Sequence, residues 1–273
     1  MRLLSSVFSF YVNGSIHVAF AVLALVGTSV LEYDLEIPFA LWVFIFFGTI
    51  TGYNFVKYAK IAGVRHRELT NSLKSIQIFS FICFGITVYF AFRLSFDTVL
   101  LISGFALLTF FYAVPFLKSK NLRSLTSMKI FVVALVWAGV TVIVPVLSIG
   151  VELNVDILLT FVQRFFIVVV LIIPFEIRDL KFDVASLRTL PQQLGVKRVK
   201  AVGIFLLLIC LVFEGFKDKV SEGNFIGLLM LCILIASALI SSNKQQLKYF
   251  ASFWIEGIPI VWLAILFLLS NLF

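Results

Sequence analysis

Apolar runs close to a membrane helix in length alternate with short polar stretches along the whole chain. A hydrocarbon core about 30 Å thick needs about 20 apolar residues per helix. The pattern therefore predicts nine membrane-spanning helices, over 12–31, 38–56, 75–93, 97–116, 130–149, 155–175, 201–215, 224–241 and 254–271. The seventh run is short and is expected to start in the loop before it.

Composition agrees with that pattern. The chain is 62% hydrophobic and 13% charged, with a mean hydropathy of +1.12, whereas a soluble domain is about a quarter charged. A soluble globular fold is excluded. The 32 Phe, spread along the chain, suit side chains that face lipid and fill gaps between helices. Cys83, Cys210 and Cys232 all fall inside apolar runs without the spacing of a disulfide framework or a zinc site. The N-terminus has one Arg, a polar break at Asn13-Gly14-Ser15 and no small-residue cleavage site, so the first helix is expected to stay in the protein.

Charge sets the orientation. Arg2, Lys57, Lys60, Arg65, Arg67, Lys74, Lys118, Lys120, Arg123, Lys129, the stretch from Arg178 to Lys200, Lys244 and Lys248 gather on one side. The opposite loops hold Glu32, Asp34, Glu36, Asp97, Glu152, Asp156, Glu214, Asp218 and Glu222 against Arg93, Lys217 and Lys219. By the positive-inside rule the basic side is cytoplasmic, with the N-terminus inside and the C-terminus outside. The net charge of +8 is thus a topology signal that also attracts anionic lipid or an anionic substrate. Nucleic acid is not needed to explain it.

Three basic-side loops are richer than topology requires: those after the second, fourth and sixth helices. In Pro174-Phe-Glu-Ile-Arg-Asp-Leu-Lys-Phe-Asp183, a helix continuing past Pro174 puts Glu176, Asp179 and Asp183 on one face. Such carboxylates suit Mg²⁺, which takes one or two of them plus phosphate oxygens. The same acids could instead pair with Arg178, Lys181 and Arg188 at an interfacial helix end. Lys118, Lys120 and Arg123 could clamp phosphate oxygens or anchor the loop. Arg164, deep in the sixth helix, must face protein or a wet cavity, either lining it or bonding backbone carbonyls and Gln163. Asn13 and His17 form an i, i+4 pair suited to an acceptor headgroup, to proton removal, or to interhelical hydrogen bonds like Gln77. Glu256 either pairs with a basic loop or borders a cavity. Trp42, Trp137, Trp254 and Trp262 fit interface anchors or cavity walls.

The string Glu176-Ile-Arg-Asp179-x-x-x-Asp183, followed by Arg188-Thr-Leu-Pro-x-x-Leu-Gly195, resembles the second aspartate motif of the UbiA-type intramembrane prenyltransferases. The resemblance extends to the helix count and orientation, Asn54 at the end of the second helix, Tyr112-x-x-Pro115-x-x-Lys118, and Trp254-x-Glu-Gly-x-Pro259. It implies one all-α transmembrane domain over residues 1–273, with nine helices around a central cavity in the inner (plasma) membrane and the active face cytoplasmic. In that family a polyprenyl diphosphate is held by Mg²⁺ between two aspartate motifs, and its prenyl group passes to a hydrophobic acceptor. On this likeness Asp179 and Asp183 are the catalytic acids and, with Glu176, the metal ligands. Asn54, Lys57, Tyr58, Tyr112, Lys118, Arg164, Arg178 and Arg188 are the substrate-binding candidates.

The first motif departs from the family. Phe55, Tyr58 and Ala62 stand where carboxylates are usual and only Asn54 is kept, so one ion rather than two is expected. Leu187 replaces a common Gly. At about 100° per residue, Lys57 and Tyr58 flank Asn54 while Lys60 points away, which makes Lys57 the candidate for the missing positive charge. Two other readings are a non-catalytic relative that binds an isoprenoid or lipid phosphate, and a secondary transporter. The transporter lacks a matching pair of broken helices.

Overall fold

The protein is described here by a computed structural model that covers residues 2–62, 71–113, 128–182 and 188–272. All regular structure among these residues is helical. In chain order the elements are α1 (Arg2–Asn13), α2 (Ile16–Tyr33), α3 (Phe39–Ala62), α4 (Asn71–Ala91), α5 (Phe96–Ala113) and α6 (Met128–Ala138). A π-helical turn, π1 (Gly139–Ile143), leads into α7 (Val144–Ser148). Then come α8 (Val155–Asp179), α9 (Leu190–Leu194), α10 (Val196–Glu214), α11 (Glu222–Ser241), a second π turn π2 (Phe250–Ile255), and α12 (Ile258–Ser270).

Seven segments among the described residues are long and apolar enough to cross a membrane, making this a multi-pass membrane protein. Two of the nine expected spans fall short of that measure: the apolar part of α5 is short, and α10 opens on Lys197, Arg198 and Lys200. The first expected span also needs adjusting. Its start belongs to a separate helix, α1, because the chain turns at Gly14 and Ser15. Ser15 adopts a left-handed conformation, φ 64°. A Cβ on Gly14 would stand 2.7 Å from the Phe10 carbonyl oxygen, so only glycine fits there.

The bundle is organised on α8, which packs against α6, α10 and α11, while α2 lies between α3 and α12. The β-branched run of α8 is tolerated because in lipid the helical backbone has no water to turn to. Its residues Ile167, Val168, Val170 and Ile173 join Leu207, Leu231 and Ile235 in the largest core cluster. The α2 helix instead buries small residues, Ala19, Ala21, Ala24 and Gly27, which let neighbouring backbones approach. At Gly27 a Cβ would meet Leu263 of α12 at 3.0 Å, and at Gly203 of α10 it would meet Leu239 of α11 at 2.6 Å. Phe81, Phe92, Phe205 and Trp254 project outward with most of their surface exposed, as lipid-facing residues do. Of the four tryptophans, Trp254 therefore fits the anchor reading, and Trp262 is buried in the interior.

Candidate functional site

At the basic end, α3 runs unbroken through Ala62, so Asn54, Lys57 and Tyr58 share a face. All three reach the α1–α2 junction. Ser15 Oγ donates to Asn54 Oδ1 at 2.8 Å, and Lys57 Nζ donates to Ser15 Oγ at 3.0 Å. Asn54 Nδ2 donates to the Gly14 carbonyl and to Ser80 Oγ, and the Tyr58 hydroxyl donates to the Asn13 carbonyl. The left-handed Ser15 is thus held by two groups from α3, which offset its backbone strain of about 1–2 kcal/mol. Ser15 is a hub that residue-by-residue reading missed. Its signal was the polar break itself.

Asn13 and His17 do not form the expected helical pair, because the junction separates them. Asn13 closes α1 and donates to Ser9. His17 is buried in the first turn of α2 and stacks on the Phe253 ring at 4.6 Å. Its Nε2 donates to the Phe253 carbonyl at 2.8 Å, which leaves Nδ1 to accept the Tyr11 hydroxyl at 2.9 Å. Glycine at position 257 makes room, since a Cβ there would stand 3.2 Å from His17 Nε2. Tyr11 lies near Glu256, and burial together with that carboxylate pushes its phenol above the usual range. Glu256, at the end of π2, is also within electrostatic reach of Lys57 and Arg178. Short π segments often occur where a helix presents groups to a site.

The second-motif acids divide. Continuing past Pro174, α8 reaches Asp179, and the Pro174 carbonyl accepts Gln246 Nε2 from the segment after α11. Glu176 is buried, and Lys129 of α6 sits 2.6 Å from its carboxylate. Asp179 is partly exposed and pairs through Oδ1 with Arg178 Nε at 2.8 Å. Arg178 also lies over the Phe175 ring. Arg188 is exposed with φ 43°, just before α9, where Gln192 reaches back to the Thr189 N–H. Asp183, Lys118, Lys120 and Arg123 lie outside the described residues, and Tyr112 falls in the last turn of α5.

Among the described residues no three His, Cys, Asp or Glu gather to hold a metal. The donor chemistry fits one Mg²⁺ on the α8 side, where Asp179 Oδ2 is left for a cation that usually takes one or two carboxylates plus phosphate oxygens. On α3 the amide of Asn54 is already occupied and its neighbours Phe55 and Tyr58 are not carboxylates, so among the described residues that side offers no set for a second ion.

Arg164 is fully buried and sits elsewhere. It precedes Arg178 by 14 residues on α8, a rise of about 20 Å. Nη1 donates to the Leu25 carbonyl at 2.6 Å and Nη2 to Thr28 Oγ1 at 2.7 Å, with longer contacts to Thr141 and Ser29. The guanidinium lies 4.9 Å from the Trp262 ring centroid. Beside it, at the acidic end, Lys217 Nζ is 2.6 Å from both Glu32 Oε1 and Glu214 Oε2. Thr160 donates to Glu32, and Gln163 to Glu214. Arg164, Trp262 and this triad line a cavity of about 20 Å³. Arg164 Nε and Trp262 Nε1 are buried donors with no hydrogen-bond partner among the described residues, and each such donor left unmatched costs about 1–3 kcal/mol.

Among solved structures the chain is similar to the apo form of a UbiA homolog from Aeropyrum pernix K1, with a TM-score of 0.66 and 12% identity over 94% of this chain and 99% of that one. It is also similar to a UbiA homolog from Archaeoglobus fulgidus bound to GPP and Mg²⁺, with a TM-score of 0.62 and 11% identity over 96% and 99%. A structure of digeranylgeranylglyceryl phosphate synthase gives a TM-score of 0.59 and 13% identity over 98% of each chain. No protein-family model and no curated protein matches the sequence. The chain therefore has the UbiA fold over nearly its whole length, at identities where the likeness is one of fold.

Proposed function

We propose that the chain is a divergent UbiA-type prenyltransferase that binds a polyprenyl diphosphate, with the diphosphate at the basic end, and transfers the prenyl group to a hydrophobic acceptor. The observation that carries this reading is that Lys57 of α3 lies within electrostatic reach of Arg178 of α8, with Asp179 paired to Arg178, in a fold shared with a homolog solved with GPP and Mg²⁺. The basic end is taken as cytoplasmic, and the helices as nine spans of one domain with the N-terminus inside.

When bound, Mg²⁺ on Asp179 and Asp183 would neutralise part of the diphosphate charge. The side chains act on the same charge. Lys57 uses one of its three ammonium donors on Ser15, which fixes its direction and leaves two for phosphate oxygens. Arg178 is steadied by Asp179 and the Phe175 ring, so its guanidinium is oriented before substrate arrives. As the bond from the prenyl C1 to oxygen breaks, its electron pair leaves with the diphosphate, where both cations stabilise the growing charge. The acceptor nucleophile then bonds to C1 and loses its proton.

Purified protein should bind geranyl diphosphate more tightly with Mg²⁺ than with a chelator, and Asp179→Ala with Asp183→Ala should abolish that difference. Calorimetry reads both, and unchanged metal dependence in the double variant would leave these acids a structural role. Lys57→Ala should weaken binding by about 1.5–3 kcal/mol, as for a charge-assisted hydrogen bond, while Lys60→Ala changes it little. Equal, negligible effects from both lysines would remove Lys57 from the site and favour a non-catalytic binding protein.

A further inference from the structure

The cavity beside Arg164 lies at the opposite end of the bundle from the proposed diphosphate site, and the prenyl-transfer reading does not use it. Two of the residues that line it carry an unmatched donor. Arg164 is fully buried and Trp262 is 5% exposed, and neither Arg164 Nε nor Trp262 Nε1 has a hydrogen-bond partner among the described residues. Both atoms can only donate, so what satisfies them must accept. That rules out a metal cation.

Size and charge narrow the ligand further. A cavity of about 20 Å³ has room for a water. Its walls carry Arg164 and Lys217 against Glu32 and Glu214. These charges sum to zero, and Lys217 is engaged by both carboxylates, so the triad presents a net negative face to the cavity. A halide there would be attracted by Arg164 but opposed by Glu32 and Glu214. Water has no such conflict, because it accepts from both N–H groups and returns its protons to carboxylate oxygens.

We infer that the acidic end contains an internal hydration site in which one water accepts from Arg164 Nε and Trp262 Nε1 and donates to the Glu32–Lys217–Glu214 triad. This water closes a bridge from the guanidinium to the carboxylates and gives Arg164 its acidic counterpart. The bridge ties α8 and α12 to α2 and to the end of α10. Those four elements are thereby joined at this end.

The test is a crystal structure of the full-length protein at a resolution that shows ordered water, with matched data from crystals grown in bromide in place of chloride. The expected result is a density peak within hydrogen-bond distance of Arg164 Nε and Trp262 Nε1 in both salts, without anomalous signal in bromide. The variant Trp262→Phe, which keeps the ring and removes the donor, should lose the peak. An anomalous bromide peak at that position would replace water by an anion and overturn the assignment. So would an empty cavity, or a peak unchanged in Trp262→Phe. X-ray hydroxyl-radical footprinting in detergent gives a second measurement. Buried Trp262 should be oxidised through its neighbouring water, and protection equal to that of a buried core residue outside the cavity lining, such as Ile177, counts against the site.

Discussion

Lys129→Ala is expected to lower the stability of the detergent-solubilised protein by up to about 3–5 kcal/mol, the usual cost of leaving a buried charge without its partner, less whatever water reaches the half-buried Lys129 side. Glu176 is 1% exposed, and the Lys129 ammonium lies 2.6 Å from its carboxylate. Taking away the ammonium strands a charge between α6 and α8, in the interior on which the bundle is organised. Thermal or denaturant unfolding reads the loss directly. The paired change Lys129→Met with Glu176→Leu should recover most of it, since a buried ion pair can often be replaced by apolar residues of similar volume. A Lys129→Ala variant as stable as the parent would mean that Glu176 takes another partner. A bound metal ion is then the first to test, by repeating the melt with Mg²⁺ and with a chelator.

Arg164→Ala should cost a similar amount, about 3–5 kcal/mol, for a different reason. The guanidinium joins the Leu25 carbonyl and Thr28 of α2 to α8 and lies against Trp262 of α12. Truncation leaves a cavity and removes the positive charge that balances the acidic triad. Arg164→Lys should lose less, about 1.5–3 kcal/mol, because an ammonium keeps the charge but cannot reproduce the fork. Neither change should alter geranyl diphosphate affinity in the protein that remains folded, because Arg164 stands about 20 Å along α8 from Arg178. Loss of binding in a well-folded Arg164→Lys variant would restore the role in substrate binding that its position deep in the sixth helix suggested.

Much of the architecture was legible because hydropathy along a membrane protein is nearly a direct record of its helices. Among the described residues the apolar runs fall mostly on helices, and the helical-wheel argument at Asn54 and Lys57 survived because α3 does not bend before Ala62. What escaped depended on backbone geometry or on distant partners. The turn at Ser15 needs a positive φ, which no hydropathy sum contains, so α1 was merged with α2. The partner of Glu176 is 47 residues away on α6, whereas the cations adjacent in sequence are Arg178 and Lys181. Lys217 was visible as an odd basic residue among acids, three positions after Glu214. Its second carboxylate, Glu32, comes from the far end of α2 and only the folded bundle supplies it.

The two π turns bear on how this chain is compared with others. A π turn closes its hydrogen bond one residue later than an α turn, so it contains one residue more than the helix it interrupts. A relative with plain α-helix at Gly139–Ile143 or Phe250–Ile255 is one residue shorter at that place. Aligned without a gap, every later position in the same helix is rotated by about 100°, which sets core residues against lipid-facing ones. Gaps inside apolar helices are what sequence alignment penalises most heavily, whereas superposition of backbones absorbs them without cost.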